Sequence, residues 1–121
     1  MSGSSAGRRV ALALRLALGL GVVTAGQSGA AEEGLRASME CRLEAGTGRL
    51  LCTVALSAPT GRSLSWSDAL VVSSPPAARP LRSRVGSGSA RPDQIVIGFV
   101  LGGGEGGRIE VVARAVTCPV A

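Results

Sequence analysis

Apolar and polar residues alternate strictly along residues 35–44. The apolar parity comprises Leu35, Ala37, Met39, Cys41 and Leu43. Because successive side chains of an extended chain point to opposite faces, this pattern predicts a half-buried β-strand. The alternation returns after a short interruption, and its apolar parity then comprises Leu50, Cys52, Val54 and Leu56. Two such runs joined by a few turn residues predict a β-hairpin.

The turn between the two runs, Ala45-Gly46-Thr47-Gly48, sets the register of this hairpin. A two-residue loop centred on Gly46-Thr47 and a four-residue loop over residues 45–48 give the same partners. The predicted pairs are Ala37 with Leu56, Met39 with Val54, Cys41 with Cys52, and Leu43 with Leu50. Directly opposed residues lie about 4.5–5.5 Å apart at Cα, a separation that a disulfide spans.

The rest of the chain continues in short alternating runs without a helical pattern. Strands are predicted over residues 64–72, 81–85, 94–101 and 109–118. Prolines interrupt the pattern after residue 74, and residues 102–107 form a glycine-rich turn. The run over 81–85 places Arg82 and Arg84 on its exposed parity. This is typical of an edge strand whose charged side chains prevent pairing with another sheet. Six short strands in total predict an all-β fold, either a small antiparallel β-sandwich (Ig-like) or a barrel.

The first 31 residues have the three-part layout of a secretory signal. Arg8 and Arg9 form a cationic start, and an apolar run over residues 10–23, interrupted by Arg15, leads to small residues. We expect cleavage after Ala25, with Ala30 or Ala31 as later sites. Residues 1–31 are thus predicted to be a signal peptide and short linker, and residues 32–121 a single β-sandwich domain. A twin-arginine route and an uncleaved membrane anchor are the alternatives, but the run is short for a spanning helix.

The formal net charge of +5 comes from thirteen cationic residues against eight acidic ones. Three of the arginines lie in the leader, so residues 32–121 carry a net charge of only +2. Nucleic acid is not expected as a partner, because the aromatic residues that stack on bases are almost absent.

Three cysteines in an exported chain leave one over after a single bond. Strand parity favours a Cys41–Cys52 disulfide and leaves Cys118 as a free thiol or as the link of a dimer. The competing scheme joins Cys118 to Cys41 or Cys52 and closes a longer loop. Either scheme fits a secreted or periplasmic protein.

The chain contains no histidine and no lysine. Without histidine or a C-x-x-C pair we expect no metal site, and we expect no cofactor and no catalytic residues. Asp68, near Trp66, is the one carboxylate that we consider as a catalytic candidate. We expect it to form a structural hydrogen bond at a strand end instead. The G-x-G-x-x-G spacing within residues 102–107 is not followed by a helix, so it predicts a hairpin turn and no dinucleotide site.

Arginines are concentrated late in the chain, at Arg79, Arg82, Arg84 and Arg91. Guanidinium groups bind carboxylates, phosphates and sulfates in a forked geometry, so these four residues are candidates for anion binding. The expected function is a non-enzymatic module of the cell envelope with a structural or protein-interaction role. The alternative is an arginine-lined binding protein for an anionic ligand or polymer, and the second alternative is an enzyme that uses Asp68 or Cys118. The expected partner is an envelope protein or an anionic polymer.

Overall fold

The computed structural model describes residues 6–15, 27–30, 34–87, 91–102 and 107–120. Within these residues it contains nine β-strands and no α-helix. The strands are β1 (Ala6–Arg15), β2 (Gln27–Ala30), β3 (Arg36–Leu43), β4 (Arg49–Ser57), β5 (Arg62–Ser73), β6 (Ala78–Pro80), β7 (Arg84–Gly86), β8 (Gln94–Leu101) and β9 (Arg108–Pro119).

The strands form two antiparallel sheets. Sheet A has the order β1-β9-β5-β7, and sheet B has the order β2-β3-β4-β8-β6. Over the described ranges neither sheet closes on itself, so the barrel alternative is not found, and the all-β prediction is confirmed. Two open sheets around one core are consistent with a small β-sandwich, whereas the closer Ig-like assignment stays a prediction.

The core is built from the inner parity of each strand. Sheet B supplies most of its volume through side chains with almost no exposed surface, namely Met39, Leu50, Val54, Ile95, Ile97 and Phe99. Sheet A contributes smaller side chains at several positions, namely Ala69, Ala113 and Ala115. A fully buried aliphatic or aromatic side chain stabilises by about 1.5–3 kcal/mol, so sheet B carries the larger share of the apolar stabilisation.

The first predicted hairpin is confirmed in its register. β3 and β4 pair as expected, with Cys41 opposite Cys52 and Leu43 opposite Leu50. Glu44 donates its N–H to the carbonyl of Arg49 over 2.8 Å, so the turn is the four-residue loop. A disulfide joins Cys41 and Cys52.

The segment after β5 differs from the prediction. Residues 78–80 form the short strand β6 at the edge of sheet B. A proline is tolerated in an edge strand, because the N–H group that it lacks can be on the side that faces solvent. The predicted strand over 81–85 is reduced to β7, which lies at the edge of sheet A. The residues between β6 and β7 therefore carry the chain from one sheet to the other.

β5 contains a bulge that the alternation did not indicate. Leu64 is paired with Thr117 and Trp66 with Val116, so Ser65 is an extra residue without a partner in register. Its hydroxyl donates to the carbonyl of Val116 over 3.1 Å. The extra residue shifts the alternation, because Leu64 faces the core whereas Trp66 is 43% exposed on the outer face.

Two strands lie in the segment that the sequence assigns to the leader and linker. β1 pairs with β9 and β2 pairs with β3. Leu12 of β1 is only 2% exposed and belongs to the core. Removal of the leader is a processing event that the fold of the full chain does not address, so it stays a prediction. Of the proposed cleavage positions, Ala25 and Ala31 lie outside the described residues.

Candidate interaction surface

The outer face of sheet B brings exposed arginines and exposed apolar residues together. In register, Val100 of β8 lies between Arg79 of β6 and Arg49 of β4. In the next row Leu51 lies between Gly98 and Arg42. Directly opposed residues of a sheet share a face with Cβ atoms about 4.5–5.5 Å apart, so these side chains form one continuous surface.

Leu81 completes the apolar part of this surface. It follows β6 and donates its N–H to the carbonyl of Gly98 over 2.9 Å. A Cβ atom at Gly98 would lie 2.8 Å from Leu81 Cδ1, so the leucine side chain covers the place that a larger residue would occupy. Leu81 is nevertheless 51% exposed and Val100 is 41% exposed. Exposed aliphatic side chains next to each other are a common feature of contact surfaces.

We call this surface the basic–apolar patch and define it by Arg42, Arg49, Arg79, Leu51, Leu81 and Val100. All three arginines are exposed. In the part of the chain that the structure describes, none of them forms an ion pair. Their guanidinium groups are therefore available to bind carboxylates in a forked geometry, and the apolar side chains between them can be buried by a partner.

The four arginines singled out in the sequence do not lie in one sheet. Arg79 belongs to sheet B and is part of the patch, whereas Arg84 belongs to sheet A and lies 3.9 Å from Asp68. Arg82 is exposed in the connection between the sheets. Arg91 Nε donates to Asp93 Oδ1 over 3.2 Å, and this hydrogen bond lowers the pKa of the exposed Asp93 carboxyl.

Sequence reasoning missed Arg42 and Arg49 as functional candidates. Both residues were placed on the exposed parity of the first hairpin, which is correct. Their proximity to Arg79 follows from the pairing of β4 with β8 and of β8 with β6. That order joins segments that are distant in the sequence, so grouping arginines by their spacing along the chain could not find it.

Asp68 has a structural environment on the outer face of sheet A. Arg114 Nε donates to Asp68 Oδ1 over 2.8 Å, and Arg114 Nη2 donates to Oδ2. The carboxylate raises the pKa of the Arg114 guanidinium, through these hydrogen bonds first and its negative charge second. Arg114 also lies over the indole of Trp66, with Cζ 5.6 Å from the ring centroid. The Asp68 side chain is only 4% exposed, so it holds Arg114 in place and presents little surface to a substrate.

Cys118 is a free, half-buried cysteine near the end of β9. It lies opposite Ser63 and shares the outer parity of Arg114, as the sequence predicted. The competing scheme that joined Cys118 to Cys41 or Cys52 is wrong, because those two residues are bonded to each other. A dimer linked through Cys118 stays a prediction.

The described residues contain no group of three or more side chains arranged to hold a metal ion. They also contain no helix with the length and hydropathy needed to cross a bilayer. Compared with protein-family models, with curated proteins and with solved structures, the chain gives no match.

Proposed function

We propose that this chain is an exported, non-enzymatic module of the cell envelope that binds an acidic surface of a partner protein through the basic–apolar patch. The observation that carries the proposal is the patch itself, where Arg49, Val100 and Arg79 follow one another across three strands. The intramolecular disulfide supports an oxidising compartment outside the cytosol. The leader-like sequence of residues 1–31 supports export.

The mixed character of the patch favours a protein over a purely anionic polymer. A polyanion would use the arginines and leave Leu81 and Val100 exposed to water. A protein surface with carboxylates around an apolar centre would pair the charges and bury both side chains. Burial of apolar area contributes about 25 cal/mol per Å², and arginines at the rim add specificity and speed of association.

A non-enzymatic role is part of the proposal. The Asp68 carboxylate is occupied by two hydrogen bonds from Arg114, so it lacks the accessibility that an acid–base catalyst needs. The chain also lacks histidine and lysine, which removes the commonest general base and the amine nucleophile.

Two synthetic probes test the binding function. Poly-glutamate supplies charge alone, and a glutamate–alanine–tyrosine copolymer supplies charge and apolar groups. We expect the copolymer to bind the purified exported protein more tightly than poly-glutamate does. The double variant Arg49→Ala/Arg79→Ala should weaken copolymer binding at least about tenfold, because two charge-assisted contacts are lost.

The matched control is Arg91→Ala/Arg108→Ala, which removes the same charge from residues outside the patch. It should change copolymer affinity by no more than about twofold, since distant exposed charges are screened by salt. Equal losses in the two double variants would show that net charge alone drives binding. Tighter binding of poly-glutamate than of the copolymer would favour an anionic polymer as the partner, and absence of binding to either probe would contradict the proposal.

A further inference from the structure

In sheet A, one edge of β9 is paired with β1, a strand that lies within the predicted leader. Ten residue pairs join β1 to β9, from Ala6 opposite Thr117 to Arg15 opposite Arg108. The other side of β9 is paired with β5. If the leader is cleaved off after export, at Ala25 or at a later site, the β1 side of β9 loses every one of these partners, and a row of backbone N–H and C=O groups is left unpaired.

The exposed edge would be long and apolar on its inner side. Every second residue of β9 faces the core, and Ile109, Val111 and Ala113 have no exposed surface in the full chain. Leu12 of β1 packs into the same core opposite Val111. Loss of β1 therefore also uncovers apolar surface between the two sheets, and long apolar edges are templates for pairing with another strand.

The leader is a poorly matched occupant in one respect. Arg9 of β1 lies directly opposite Arg114 of β9, and like charges in directly opposed positions are destabilising. Asp68 pairs with Arg114 from the β5 side, and on the β1 side the neighbour is another cation. A carboxylate in place of Arg9 would meet Arg114 with the opposite charge.

We infer that the processed protein accepts an extended acidic strand of a partner protein along β9, in the place that β1 occupies in the full chain. The partner strand carries a carboxylate opposite Arg114 and an apolar side chain opposite Val111, and its backbone completes sheet A. This inference rests on the export in the proposed function and on the predicted removal of the leader. It concerns an edge of sheet A, whereas the basic–apolar patch lies on sheet B.

The test uses the protein exported from its full-length gene, with its N-terminus established by mass spectrometry. Three synthetic peptides are titrated into it: the leader sequence AGRRVALALR, its Arg9→Glu version and its Leu12→Asp version. We expect the Arg9→Glu peptide to bind about two- to tenfold more tightly than the leader peptide, because a repulsive pair becomes an attractive one. The Leu12→Asp peptide should not bind, since an unpaired carboxylate would enter the core. On peptide binding, the amide chemical shifts of β9 residues should change, and those of β6 residues should not.

The outcomes separate this inference from the proposed function. A purified exported protein that still carries β1 would overturn the inference and leave the proposed function standing, whereas a protein that binds neither the copolymer nor any peptide would overturn both. A processed protein that binds the glutamate–alanine–tyrosine copolymer through its patch, but none of the peptides, would overturn only the inference. Equal affinity for the leader and Arg9→Glu peptides would overturn the acidic character of the occupant. A concentration-dependent dimer whose interface maps to β9 would make a second copy the occupant, and would also overturn it.

Discussion

Arg114 and Asp68 lie directly opposite each other on neighbouring strands and are joined by two hydrogen bonds on the outer face of sheet A. The arginine remains partly exposed, whereas the carboxylate is buried beneath it. Arg84 approaches the same carboxylate at 3.9 Å. Asp68 is therefore the shared anionic partner of Arg114 and Arg84 on this face.

Replacement of Asp68 tests that role. Asp68→Ala should lower the free energy of unfolding by about 2 kcal/mol, because a buried acceptor of charged hydrogen bonds is lost. Urea unfolding of the exported protein measures the change. As a control, Asp93→Ala removes an exposed carboxylate that pairs with Arg91, and it should leave stability nearly unchanged. Equal effects of the two substitutions would contradict the structural role of Asp68.

The disulfide makes a second stability prediction. Cys41 and Cys52 are separated by 11 positions, so the bond closes a short loop, and its removal should lower the free energy of unfolding by about 2–3 kcal/mol. Chemical unfolding of Cys41→Ala/Cys52→Ala measures this loss. Cys118→Ala is the matched control and should be close to the unsubstituted protein in stability. The same variant tests the predicted dimer. If the unsubstituted protein gives a Cys118-linked dimer on a non-reducing gel, that band should be absent for Cys118→Ala.

Gly98 controls the shape of the basic–apolar patch. A Cβ at this position would meet the end of the flexible Leu81 side chain at 2.8 Å, so Gly98→Ala should displace Leu81 without a large loss of stability. We expect weaker binding of the glutamate–alanine–tyrosine copolymer and a melting temperature within a few degrees of the original. Gly46→Ala is unsuitable as a control, because its φ of 88° favours glycine. Unchanged copolymer affinity in Gly98→Ala would show that Leu81 does not contact the probe.

The position of β2 favours one of the three cleavage sites. Residues 27–30 pair with β3 and protect an edge of sheet B. Cleavage after Ala25 would retain this strand, whereas cleavage after Ala30 or Ala31 would remove it. We therefore expect the exported protein to begin at Gly26, and the intact mass of the purified protein checks this. A mass that begins at Ala31 or Glu32 would contradict the expectation.

The hairpin of β3 and β4 was predictable because its signals are local. The parity of Leu35 to Leu43 and the short turn together fix the register, and the register brings the two cysteines face to face. The crossing between sheets was not predictable in this way. Residues 81–83 contain a single apolar residue, Leu81, so they carry no alternating pattern that would indicate which sheet they leave and which they join.

The candidate site depends on contacts that are distant in the sequence. Arg49 and Arg79 become neighbours of Val100 only when β8 lies between β4 and β6. Parity predicts that each of these side chains is exposed, but it does not say which strands are adjacent. The strand order is decided by how all the apolar faces pack together, and no single segment of the sequence carries that information.

The bulge at Ser65 decides which face of sheet A the next residues of β5 occupy. Residues 66–71 lie on the opposite faces from those that a regular alternation begun at Leu64 would give them, until a second register shift between Val71 and Ser73. If Ser65 instead took a regular place in the ladder, Trp66 and Asp68 would turn inward and Ser67 and Ala69 would turn to the surface. Deletion of Ser65 would remove the bulge and leave Leu64 and Trp66 on the faces that they occupy now. One unpaired residue therefore decides which side chains of this strand form the interior, and we expect deletion of Ser65 to be tolerated better than insertion of a further residue beside it.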